Sequence, residues 1–177
     1  MEVQRLGVKL FAAELAAVNV REFVPVFHSW IQRQCIDGHL LIDVHDYSHI
    51  HNGPGILLVA HEGNFNTDLA EGKLGLAYFR KHAGEGTEAT EANVKAAMKT
   101  ALQAASLLEQ EPAFKGRLQF RRDEALIIAN DRLLAANDVS RFEAIKPAIL
   151  RALNPRAVLI HASPNPKDRL TIRAVFP

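Results

Sequence analysis

The chain is poor in the residues that would commit it to a specialised class. Its 177 residues include a single cysteine, Cys35, so no internal disulfide can form, and a reducing, cytoplasmic setting is expected. Charge of either sign is not in excess: 21 Lys and Arg oppose 20 Asp and Glu, for a net charge of +1. That balance offers no long-range attraction to nucleic acid or to an anionic membrane, and neither partner is expected. No apolar run approaches the roughly 20 residues of a membrane-spanning helix. The stretch 8–18 is broken by Lys9 and Glu14, and no small-residue cleavage site follows it, which argues against a signal peptide. Three nucleotide and hydrolase signatures are missing as well: G-x-x-x-x-G-K-[ST], G-x-G-x-x-G after a strand, and G-x-S-x-G. ATP-dependent, dinucleotide and lipase-like chemistries lose support accordingly.

What is present suits one globular α+β domain spanning 1–177, with 48% hydrophobic and 23% charged residues. Residues 5–11 alternate as a strand does. Residues 21–34 carry Phe23, Val26, Phe27, Trp30 and Ile31 on one helical stripe, with Asn19 and Glu22 spaced as a capping box. The sequence Asn52-Gly53 then predicts a two-residue hairpin turn between strands 39–51 and 55–61. Residues 64–82 read as a second hairpin turning at Glu71-Gly72; a helix over 68–82 is the alternative, weakened by Gly72 and Gly75. A polar linker over 82–87 leads into the clearest helix, 90–110, striped by Val94, Ala97, Met98, Ala101, Leu102, Ala105 and Leu108. A third hairpin is expected around Asp123-Glu124. A helix capped by Ser140 and Glu143 and kinked at Pro147 follows, and then strands 157–162 and 169–176.

Hairpins joined by helices favour antiparallel sheet covered by helices on one face. Residues 5–65 and 117–177 share a strand–helix–strand–strand order, so two similar halves, 1–83 and 113–177 joined by helix 88–111, suggest an internal duplication.

Five of the eight histidines lie between positions 39 and 61. On a strand, alternate residues point the same way, so Asp43, His45, Tyr47 and His49 form a row on one face. With a two-residue turn at Asn52-Gly53, Asp43 is opposite Glu62 and Val44 opposite His61. Imidazole and carboxylate groups can ligate zinc or iron, so one reading is a divalent-metal hydrolase. In it His45, His61 and Glu62 ligate the ion, while Glu62 or Asp43 acts on a bound water. The plainer readings are a solvated sheet face and a subunit interface. His45, Tyr47 and His49 then serve as ligand-binding or partner-binding groups in a cytoplasmic homodimer that holds a small molecule or a protein. Elsewhere Cys35 and Trp30 read as core, and His28 as the polar edge of its helix. Lys115, Arg117, Arg121 and Arg122 read as a solvated basic hairpin, and His161 as half-buried with a partner.

The run Leu41-Ile42-Asp43-Val44-His45-Asp46-Tyr47-Ser48-His49, with Gly53-Pro54-Gly55 and His61-Glu62 after it, resembles an uncharacterised group of bacterial proteins. The resemblance covers mainly residues 23–81. It implies a compact α+β domain with no assigned activity, so no catalytic residue is carried over from it. At the level of topology, paired β-α-β-β units are also similar to bacterial small-molecule effector-binding domains, an analogy of fold.

Overall fold

The computed structural model describes residues 5–13, 18–82, 89–131 and 135–177. Among these, eight strands form one sheet and three helices pack on it. In chain order they are β1 (Leu6–Ala12), α1 (Phe23–Arg33), β2 (Leu41–Tyr47), β3 (Gly55–Ala60), β4 (Gly63–Asp68), β5 (Gly75–Arg80), α2 (Ala89–Gln110), β6 (Phe120–Ala129), α3 (Val139–Ala152), β7 (Val158–His161) and β8 (Thr171–Val175). The sheet order is β2-β3-β4-β5-β1-β6-β8-β7, and every neighbouring pair is antiparallel. The fold is α+β, as the hairpin-rich sequence predicts.

The strand order has a centre. Strands β1 and β6 lie side by side, each followed by a helix and then a hairpin that ends at a sheet edge. The extra hairpin β4–β5 is inserted on one side only. The linker expected at 82–87 falls mostly outside the described residues.

Local chemistry explains most element boundaries. The Asn19 side chain accepts from Arg21 N–H at 2.9 Å and Glu22 accepts from Asn19 N–H at 2.8 Å, so the expected capping box opens a 3₁₀ turn running into α1. Helix α1 ends where Gln34 turns left-handed at φ 47°. The hairpin reading of 64–82 is correct: β4 and β5 are joined by a 3₁₀ turn at Ala70–Gly72, with Gly72 at φ 67°. Two expectations fail. Asp123-Glu124 makes no turn, because β6 runs unbroken for ten residues and absorbs the irregularity as a register shift against β1 between Leu10 and Ala12. Helix α3 is capped by Asp138, which accepts from Arg141 N–H at 2.7 Å, and not by Ser140.

The two faces of the sheet differ. One carries Leu6, Val8 and Leu10, with Leu58, Phe65, Leu76, Tyr78, Ile127 and Ile172, and packs on Phe27, Trp30, Ala101, Ala105 and Ile149 of the helices in one continuous core. Trp30 is fully buried there and donates its indole N–H to Glu111 at 2.7 Å. On the other face, among the described residues, lies a small cluster of Phe11, Leu126 and Ile128 with Phe79 against it. The Phe79 ring lies across Gly7, where an added Cβ would stand 2.3 Å from it.

Candidate functional site

Strands β2 and β3 pair as a hairpin, but only His45 of the five histidines lies on a strand, and the register is offset by three residues from the expected one. Asp43 is opposite Val59, not Glu62, and Val44 is opposite Leu58, not His61. The physical cause is local. Asp46 accepts from Ser48 N–H at 2.8 Å, and Ile50 N–H closes a turn on the Tyr47 carbonyl, so pairing stops at Tyr47 and a loop over 48–54 replaces the tight turn. Asn52 is left-handed as expected, at φ 58°, but the second such residue is Gly55 at φ 62°, not Gly53. A bulge between Leu41 and Asp43 then reverses the phase of the strand, so Leu41 and Val44 both face the core while Leu40 and Ile42 are exposed. The side-chain amide of Gln34 brackets Leu41 from outside, accepting from its N–H at 3.0 Å and donating to its carbonyl at 2.9 Å, as a neighbouring strand would.

The row that the sequence suggested is thus only partly assembled. Asp43, His45 and Tyr47 share the helix-free face, with His45 Nε2 at 3.4 Å from Asp43 Oδ2 and the His45 and Tyr47 rings 6.0 Å apart. His49 is in the loop, off the strand. His45 is opposite Leu57, four residues before His61, which corresponds to about 13 Å along the ribbon. His45 and His61 therefore do not converge with Glu62 on one point. Among the described residues, no three His, Cys, Asp or Glu side chains stand close enough together to hold a metal ion.

His61 and Glu62 belong to a different group at the end of β3. Glu62 accepts from Leu40 N–H at 2.8 Å, which chiefly holds its carboxyl below the usual carboxylate range, and His61 Nδ1 lies 3.3 Å away. Beside them His39 Nδ1 donates to the Asp37 carbonyl at 2.9 Å, since a carbonyl only accepts. That leaves Nε2 to accept from the Tyr78 hydroxyl at 2.6 Å. Burial pushes the Tyr78 phenol up to about 12. Burial also raises the Cys35 thiol, which packs against the core. His161 meets its expected partner, Asn137 Oδ1, at 2.6 Å and stacks on Phe142. Arg117, Arg121 and Arg122 are solvated as expected but not on a hairpin, and they pair with Glu22, with Asp123 and Glu124, and with Glu109.

The polar hollow on the helix-free face was not anticipated. Strand β4 places Asn64, Asn66 and Asp68 on that face, between Val59 and Leu57 of β3 and Phe79 and Ala77 of β5. With the loop residues Asn52, Gly53 and Pro54 on one side and Asn130 and Arg169 on the other, they line a space of about 360 Å³. Both halves of the chain contribute to it. Asn64 Oδ1 is buried there without a hydrogen-bond partner. Lys9, fully buried beneath, ion-pairs with Asp68 at 3.3 Å and donates to the carbonyls of Ala70 and Lys73, so the Asp68 charge is already answered. Arg169 lies over the Phe79 ring at 5.6 Å and donates to Asn130 Oδ1 at 2.9 Å. The helix-free face also carries the Asp43, His45 and Tyr47 row, one strand outward from Leu57.

A sequence signal for this hollow did exist. In Gly63-Asn64-Phe65-Asn66-Thr67-Asp68 the amide and acid residues alternate strictly, so a strand there must present them together. No helix among the described residues is long and apolar enough to cross a membrane. Compared with known proteins, the chain matches no family model, no curated protein and no solved structure.

Proposed function

We propose that the protein binds a small, neutral, hydroxyl-rich molecule, such as a monosaccharide, in the hollow above Asn64 and Asn66. The observation that carries this reading is the lining of the hollow, where the side chains of Asn52, Asn64 and Asn66 come together. Carboxamides offer a donor and an acceptor side by side, which matches adjacent hydroxyls. The Asp68 carboxylate is already paired with Lys9, so the groups left to meet a ligand are mainly uncharged amides. His45 and Tyr47, on the outer strand of this face, are positioned to extend the contact.

Thermal denaturation with panels of monosaccharides, polyols and nucleosides tests it. One polyhydroxyl class is expected to raise the Tm of the native chain in proportion to its concentration, and Asn64→Leu to abolish that rise. No shift with any polyhydroxyl compound, or an equal shift in Asn64→Leu, refutes the reading.

The same proposal includes a cytoplasmic homodimer. Among the described residues no further strand pairs with β2 or β7 at the sheet edges, and Leu40, Ile42, Val158 and Ile160 are exposed there. Sedimentation of Ile160→Lys against the native chain is the check: a native chain that is monomeric at all concentrations removes this part.

A further inference from the structure

We propose a second, independent ligand site on the helical side of the molecule, taking an amphipathic carboxylate: an alkyl or aryl chain ending in one anionic head. A groove of about 460 Å³ lies between α2, the end of α3 and the start of β6. Helix α2 supplies one wall with Lys95, Met98, Lys99 and Leu102, whose spacing places them on a single stripe. Apolar groups complete the interior, with Leu10 from β1, Leu153 after α3 and Phe176 after β8.

The rim carries Lys95, Lys99, Arg121 and Arg122 with one carboxylate, Glu124, which Arg121 and Arg173 answer, and its two sides are in different electrostatic states. Arg121 and Arg122 are engaged, Arg121 with Asp123 and Glu124 and Arg122 with Glu109. Among the described residues, Lys95 and Lys99 pair with no carboxylate, although they lie one helical turn apart and repel one another. An anion between them removes that repulsion. A bare anion leaves the apolar interior unused, and a neutral chain leaves the lysines unanswered, so the lining fits both ends of one amphipathic molecule.

Calorimetric titration of the full chain with decanoate, decan-1-ol and inorganic phosphate tests the site, with decanoate kept below micelle-forming concentrations. Decanoate is expected to bind at least about tenfold more tightly than either of the others. Lys95→Ala with Lys99→Ala lowers decanoate affinity by about tenfold or more, and Leu102→Trp, which fills the groove, abolishes it. The exposed lysine pair gives an answer even if Leu102→Trp disturbs folding. Asn64→Leu leaves decanoate binding unchanged, which separates this site from the hollow on the other face. Three results overturn the inference: no decanoate binding, equal binding of decanoate and decan-1-ol or phosphate, or decanoate affinity that survives the double lysine substitution.

Discussion

The two faces of the sheet answer the problem of burial differently. Beneath the helices, large apolar side chains interlock, and the few polar groups are bonded in short chains such as Tyr78 to His39 to Asp37. On the helix-free face, the centre is closed by a lysine, two phenylalanines and a 3₁₀ turn, and a buried carbonyl oxygen of Asn64 is left without a partner. The first face is closed mainly by apolar packing. The second leaves a polar group that stability does not require, and the proposal of a polyhydroxyl site rests on that face.

Substitutions on either face test the contrast. The largest effect is expected for Trp30→Ala, which leaves a void in the core and removes the indole donor to Glu111, leaving Arg33 as its partner; chemical denaturation should show a loss of about 4 kcal/mol. On the other face, Asp68→Ala leaves the Lys9 ammonium buried with no carboxylate, only two carbonyls and the face of Phe11, and about 3 kcal/mol should be lost. Combining it with Lys9→Met should recover most of that loss; a double variant as unstable as the single one would show that packing, not charge, governs the site.

A pH effect belongs to the helix side. The Tyr78 phenol, raised by burial to about 12, stays protonated where the unfolded chain ionises near 10. Its contribution is therefore intact below about pH 10 and is lost as the pH climbs through 12, amounting to about 2–3 kcal/mol. Tyr78→Phe should flatten the alkaline limb of the Tm profile, and an unchanged limb would assign the transition to another group. The smallest expected effect is on the open face: Asn64→Leu should change stability by less than about 0.5 kcal/mol, or raise it slightly, since no hydrogen bond is removed. A marked loss would show that Asn64 serves the fold and would blur the contrast between the faces.

Much of the architecture was legible because its causes are local. The Asn19–Glu22 capping box, the stripe through Phe23, Val26, Phe27 and Trp30, and the long stripe of α2 each rest on residues within a few positions of one another. The candidate site was legible only in part. Asp43, His45 and Tyr47 do share one face, yet the pairing that would have joined His45 to His61 and Glu62 depended on a turn that Asp46 and Ser48 pre-empt. The pairing of the basic cluster was missed because Glu22 and Glu109, which neutralise Arg117 and Arg122, are 95 and 13 residues away.

The chain by itself therefore determined the class of fold, the order of most elements and the alternation that lines up Asn64, Asn66 and Asp68. Periodicity and capping are short-range properties that the order of residues specifies directly. Only the tertiary structure decided the register of β2 on β3, the continuity of β6, and the meeting of Asn64 with Asn130 and Arg169 around one hollow. Those outcomes depend on which distant segments pack together and bury the most apolar surface, and no local window of the sequence contains that competition.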